Sequence, residues 1–267
     1  MIPVNATTAC FPGLTHPDAL QRLLGGTSEP GLGRLDLTQC QLCPQNHGML
    51  TADTLHTLHT MAPDTQFRLH ANVRVDPLSH RGQDASSFRP SATPYYTTLA
   101  TLSRSLRAPA YTLHAGSRAN ADLDRLRTNV LAIQACFDIP VGVEGMYPTT
   151  RDEYLLTRWD DYQWLLNSDL FFVVDLSHLN IVTRTERRRD EPLLLALLTA
   201  PRCLEIHLSD NDGRHDQHTP IGTTLPWWWP ILEEARHITD APILFTEGNQ
   251  FRSLRMQRSA LASTYAH

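Results

Sequence analysis

Short apolar runs recur along the chain, and each is followed by a stretch with helical spacing. Runs rich in Val, Ile, Leu and Phe at residues 2–5, 34–37, 67–71, 110–114, 139–144, 170–175, 203–208 and 242–247 read as strands. Helical patterns occupy residues 18–24, 51–61, 95–106, 122–137, 151–166, 191–200 and 226–238. Several open on a start signal: Thr51 ahead of Asp53, Thr150 ahead of Glu153, and Pro192 and Pro226 early in their helices. Eight strand–helix units of roughly 33 residues each predict an α/β fold, a (β/α)8 TIM barrel. An open doubly wound sheet is the alternative. It carries a Gly-rich phosphate turn after its first strand, and Gly13, Gly25 and Gly26 do not make one. Residues 1–267 are expected to form one barrel domain. The polar stretch 76–93, with Pro77, Gly82 and Pro90, reads as a long loop between the third strand and its helix.

The residues that end these strands change the picture. The third ends on His70, the fourth on His114, the fifth on Glu144, and the sixth on Asp175 with His178 just beyond. The seventh ends on His207, its loop adds Asp216 and His218, and the eighth ends on Glu247. In a barrel those ends meet at one rim, where active sites are built. A single histidine at a strand end is more often a surface or core residue, and a lone carboxylate there commonly caps a turn. Six successive strands ending in imidazoles and carboxylates instead predict a shared divalent metal site. Glu144 and Glu247 strengthen this, because each follows a largely apolar strand and a buried carboxylate without a partner is costly.

Composition adds limits. The net charge of −5 makes no electrostatic case for nucleic acid, although acidic enzymes also bind DNA through a local basic groove. Only Arg184 to Arg189 is dense in positive charge, and such a run is usually a solvated face. The five scattered cysteines do not form a disulfide framework, and Cys40-x-x-Cys43 lacks the second pair a zinc site needs. The N-terminus lacks a basic n-region, and the longest apolar run is too short to span a bilayer. A cytoplasmic protein without membrane attachment is therefore expected, with oligomeric state open. Of the remaining features, Trp227-Trp228-Trp229 is expected to plug the barrel rim or a subunit contact. His56 and His59 are expected on an outer helix, and Arg118 is expected to be an ordinary arginine, with a phosphate contact as the alternative.

With these residues in view, the chain resembles the xylose isomerase-like TIM-barrel superfamily. That superfamily contains sugar and sugar-phosphate isomerases and epimerases and the endonuclease IV type of AP endonuclease (AP endonuclease family 2). The resemblance runs from the third strand to the eighth. It is most specific at Asp175-Leu-Ser-His178 and across His207 to Gly222. It implies one divalent ion, zinc or manganese, on Glu144, Asp175, His207 and Glu247, with His178 and Arg214 touching substrate. Through its endonuclease branch it implies five further ligands, His70, His114, His178, Asp216 and His218, and up to three ions. Gly222-Thr-Thr stands where that branch has Gly-x-Gly, and the spacing from His207 to Asp216 is shorter. Tyr147, close behind Glu144, is expected to border the substrate.

Three functions follow as expectations. The first is a metal-dependent isomerase or epimerase of a small sugar or sugar phosphate, with Glu144 and Glu247 moving the proton and the metal stabilising an enediolate. The second is an endonuclease IV-like zinc phosphodiesterase acting through an activated water. The third is an iron-dependent tailoring barrel, since a histidine-rich site suits iron as well as zinc. The first predicts a small polyhydroxylated or phosphorylated partner.

Overall fold

In the computed structural model, residues 2–75, 83–151 and 153–251 are described. The strands are β1 (Asn5–Thr7), β2 (Ser28–Glu29), β3 (Gly33–Arg34), β4 (Asp36–Leu42), β5 (Gln66–Leu69), β6 (Tyr111–His114), β7 (Val141–Glu144), β8 (Phe171–Asp175), β9 (Cys203–Leu208) and β10 (Ile243–Thr246). All but β2 and β3 close into a parallel barrel in the order β1-β10-β9-β8-β7-β6-β5-β4, while β2 and β3 form a small antiparallel hairpin. The helices are α1 (His16–Leu24), α2 (Ala52–Met61), α3 (Thr93–Ser105), α4 (Leu123–Gln134), α5 (Trp159–Asn167), α6 (Leu176–Glu186), α7 (Glu191–Thr199) and α8 (Trp229–Ile238). The alternation of strand and helix around a closed sheet is the expected (β/α)8 TIM barrel.

The period-2 alternation of each strand sorts its side chains. Phe67 and Leu69, Val141 and Val143, Ile206 and Leu208 join the buried apolar cluster shared with the helices. Their neighbours Arg68, Thr112 and Glu205 meet one another, or Gln41, inside the barrel. Register then sets who stands beside whom at the rim: His114 pairs with Glu144, and Asp175 pairs with His207.

Several elements differ from the sequence expectation. The first barrel strand begins only at Asn5, and the second covers Asp36–Leu42 because Arg34 belongs to the hairpin. Helix α5 begins at Trp159 rather than 151. Ahead of it the chain bends at Leu155 and Leu156, with Leu155 N–H donating to Gly116 O, Leu156 O accepting from Met146 N–H, and Leu156 at φ 56°. Tertiary pairing there overrides the local start signal. Helix α6 was not expected at all. Asp175 serves both as the last strand residue and as the N-cap, its Oδ1 accepting from Ser177 N–H at 2.7 Å and His178 N–H at 3.1 Å. Of the expected loop 76–93, residues 76–82 lie outside the described residues, and α3 begins at Thr93. Among the described residues no helix is long and apolar enough to cross a membrane.

Candidate functional site

The strand ends deliver their side chains to one pocket of about 300 Å³. His70, His114, Glu144, His178, Asp216, His218 and Glu247 line it, together with Tyr147. Asp175 and His207, both buried, join the same cluster through their neighbours. His70 Nε2 lies 3.4 Å from Glu144 Oε2 and 3.6 Å from Glu247 Oε1, so the two glutamates flank one imidazole. His114 Nε2 is 3.2 Å from Glu144 Oε2. His207 Nδ1 is 3.1 Å from Glu144 Oε1 and 3.9 Å from Glu247 Oε1. On the far side, His178 Nε2 sits 3.6 Å from Asp175 and 3.7 Å from Asp216. His218 bridges Asp216 at 2.9 Å and Glu247 at 3.2 Å. All nine residues expected as ligands therefore form one connected cluster.

The donor set fits a divalent cation. Three trios, His70–His207–Glu247, His70–His114–Glu144 and Glu144–Asp175–His178, each hold ligand atoms within 4.8 Å of one another. Glu144 Oε2, Glu247 Oε1, Asp216 Oδ1 and His218 Nδ1 are buried without an aligned hydrogen bond, although several have an ion-pair partner nearby. Buried polar atoms left this way call for a further partner. His178 is already oriented: its Nδ1–H donates to Gly145 O at 2.8 Å, which leaves Nε2 to face the pocket.

The electrostatics are those of a crowded ionic cluster. Burial pushes the Glu144 carboxyl up, but His207, with close contacts from His114 and His70, outweighs it and holds the group well below its ordinary value. Burial likewise opposes ionisation of Glu247, yet the close contact from His218 and the charges of His207, His218 and His70 bring it down to about 2. His178 runs the other way. Burial lowers it, and Asp175 and Asp216 raise it to about 10. Asp175 is pushed up, mostly by its own burial.

Of the other expected residues Tyr147 stays at the pocket, and the rest fall elsewhere. Tyr147 packs beside His178 with ring centroids 4.6 Å apart and the rings tilted by 46°. Arg214 is exposed and does not line the pocket; its backbone N–H donates to Asp212 Oδ1 at 2.8 Å. Arg118 reaches Asp161 Oδ2 at 2.8 Å and Thr157 Oγ1 at 3.0 Å, tying the segment before α5 to that helix. Trp228 and Trp229 are buried, and Trp227 donates to Asn180 Oδ1 at 2.9 Å under the Arg189 guanidinium. Burial pushes the Cys40 thiol up to about 12 and Cys43 well above its ordinary value, so neither is a thiolate at neutral pH.

Several residues of this region were not foreseen. Gln45, Asn72, Asp84 and Tyr154 also line the pocket. Beneath it, Glu205 and Arg68 form a fully buried ion pair at 2.6 Å. The available signal was alternation: each stands two residues before an expected ligand, His207 and His70, and so shares its face.

No protein-family model matches the sequence, and no curated protein is significantly similar to it. Solved structures do match. A D-tagatose 3-epimerase-like protein aligns over 98% of this chain and 97% of its own, at 13% identity and a TM-score of 0.68. The chain shares its (β/α)8 barrel fold with that protein and with a xylose isomerase domain protein from Planctomyces limnophilus. D-Allulose 3-epimerase from Methylomonas sp., solved with D-allulose, matches over 93% of this chain and 84% of its own, at 12% identity and a TM-score of 0.60. Endonuclease IV from Thermus thermophilus matches over 98% of both chains, at 14% identity and a TM-score of 0.52. At such identities the likeness concerns the fold, which hosts more than one chemistry.

Proposed function

We propose that this barrel is a divalent metal-dependent isomerase or epimerase of a small polyhydroxylated substrate. The observation that carries the reading is the pair of buried carboxylates, Glu144 and Glu247, flanking His70 on the pocket wall at 3.4 and 3.6 Å. Glu144, Asp175, His207 and Glu247 would hold the ion, zinc or manganese. When bound, it would polarise a carbonyl and the hydroxyl beside it. Glu144 and Glu247 are both held ionised, so each starts as a proton acceptor. One takes the proton from the carbon next to the carbonyl, and the other, once it has itself taken a proton from a substrate hydroxyl or from solvent, delivers that proton to the neighbouring carbon or the opposite face. His178, charged and facing the pocket through Nε2, would offset negative charge developing on a substrate oxygen. Gln45, Asn72, Asp84, Tyr147 and Tyr154 offer hydrogen-bonding groups suited to hydroxyls, and the Asp84 carboxylate would repel a phosphate. The epimerase neighbours support this reading at the level of fold.

The test is exchange of the α-proton in deuterated buffer, with a panel of ketoses and aldoses and added manganese or zinc. Exchange that stops in chelator is expected. No exchange with any sugar would overturn the proposal. One observation favours a second reading: His178, Asp216 and His218 extend the cluster beyond four ligands. Under that reading the protein is an endonuclease IV-like phosphodiesterase with up to three ions. Chelator-sensitive nicking of an abasic-site duplex, without sugar exchange, would decide for it. Metal analysis of protein purified without added metal would reveal iron if the chemistry were oxidative.

A further inference from the structure

The layer beneath the pocket contains a carboxylate that no step above uses. Glu205 is completely buried, and its two oxygens have separate duties. Oε1 accepts from Arg68 Nη1 at 2.6 Å. Oε2 lies 2.7 Å from Gln41 Nε2, 2.8 Å from Thr112 Oγ1 and 3.0 Å from His207 Nε2. Arg68 is fixed in turn by Gln39 and by the Phe245 ring, whose centroid is 5.2 Å from the guanidinium carbon. Stability is a poor explanation for such a pair. Apolar residues of equal volume commonly do as well, while taking two charges out of water is costly.

What Glu205 does specify is the proton on His207. A carboxylate anchored by an arginine only accepts hydrogen bonds, so the nitrogen facing it carries the hydrogen. The opposite nitrogen, Nδ1, points at Glu144 and Glu247 and belongs to the trio His70–His207–Glu247. Glu144 lines the pocket and is itself an expected ligand, so a cation there would take its charge. Glu205 is screened from the pocket by His207 and keeps its own charge for the Nε2 proton.

We infer that Glu205, held by Arg68, is a positioning residue: it fixes His207 with its hydrogen on Nε2 and so presents the Nδ1 lone pair to a divalent ion. This rests on the metal-site reading proposed above. Carboxylate partners of ligating histidines act this way in general, raising ligand basicity and fixing ring orientation.

The experiment uses the full-length, zinc-loaded protein with 15N-labelled histidine and long-range 1H–15N spectra. The expected result is a hydrogen-bonded proton on His207 Nε2 and none on Nδ1. A proton on Nδ1 would overturn the inference. In Glu205→Gln the amide must aim its NH2 group either at the Arg68 donors or at the three groups around Oε2, and in either orientation the negative charge that holds the Nε2 proton is lost. Zinc affinity, read by competition with a chelating dye, is expected to fall about 10- to 100-fold. Thr112→Val removes one donor but leaves the carboxylate, and should bind zinc nearly as wild type does. Equal losses in the two variants, or unchanged affinity in Glu205→Gln, would overturn the inference. Should Glu205→Gln fail to fold, the wild-type spectrum decides alone. If the wild type takes up no divalent ion, the metal reading fails and this inference with it. If zinc binds but the proton sits on Nδ1, only this inference fails.

Discussion

Replacing Glu29 by Gln should change how stability depends on pH. Glu29 belongs to the β2–β3 hairpin and is 1% exposed. Its Oε1 accepts from Thr246 Oγ1 at 2.6 Å and Gln250 Nε2 at 3.3 Å, and its Oε2 from Ile221 N–H at 2.7 Å. It thus ties the hairpin to the loop that carries Asp216 and His218 and to the strand that leads into Glu247. Burial pushes its carboxyl from the ordinary 4.5 up to about 7, with the hydrogen bonds from Thr246 and Ile221 only partly offsetting it. A group raised on folding contributes stability that is fully present below its unfolded value and is lost as pH rises through its folded value. Linkage over a shift of this size gives a loss of about 2.5 kcal/mol between about pH 5 and about pH 8. Urea unfolding of wild type and Glu29→Gln across that range isolates the effect, because other titrating groups are common to both. The amide also misplaces a donor, but that penalty does not vary with pH. The wild type should lose about 2.5 kcal/mol relative to the variant as pH rises. Parallel curves, or a wild type that gains on the variant, would refute the reasoning.

Two further outcomes follow from packing and charge. Arg68→Met leaves Glu205 buried without its cation and should cost about 3–5 kcal/mol in urea unfolding; a loss below about 1 kcal/mol would show that the remaining donors suffice. Gly145→Ala would set a Cβ 2.3 Å from Tyr162 Cε1, against a ring whose hydroxyl is tied to Met146 O at 3.0 Å. It should destabilise by about 1–3 kcal/mol and disturb the carbonyl that orients His178, and a melting temperature equal to wild type would contradict this.

Much of this site was legible along the chain because a strand's alternation is a local property. Phe67-Arg68-Leu69-His70 and Cys203-Leu-Glu-Ile-His207 each announce which residues share a face before any partner is known. Helix α6 was missed for a related reason. Asp175 reads equally well as a strand end or as an N-cap, and here it is both. The segment before α5 shows the opposite failure, a helix-start signal overruled by backbone pairing with Gly116 and Met146.

The amino-acid order by itself determined the barrel cadence and the acidic and histidine residues at the strand ends, since both follow from spacing within single elements. Only the closed tertiary structure decided that Arg214 stays outside the pocket, that Glu205 meets Arg68 and His207, and that Glu29 meets Thr246 and Ile221. Those contacts join residues as much as 217 positions apart. They depend on how far each strand is staggered against its neighbours when the sheet closes, a quantity that no single run of residues encodes.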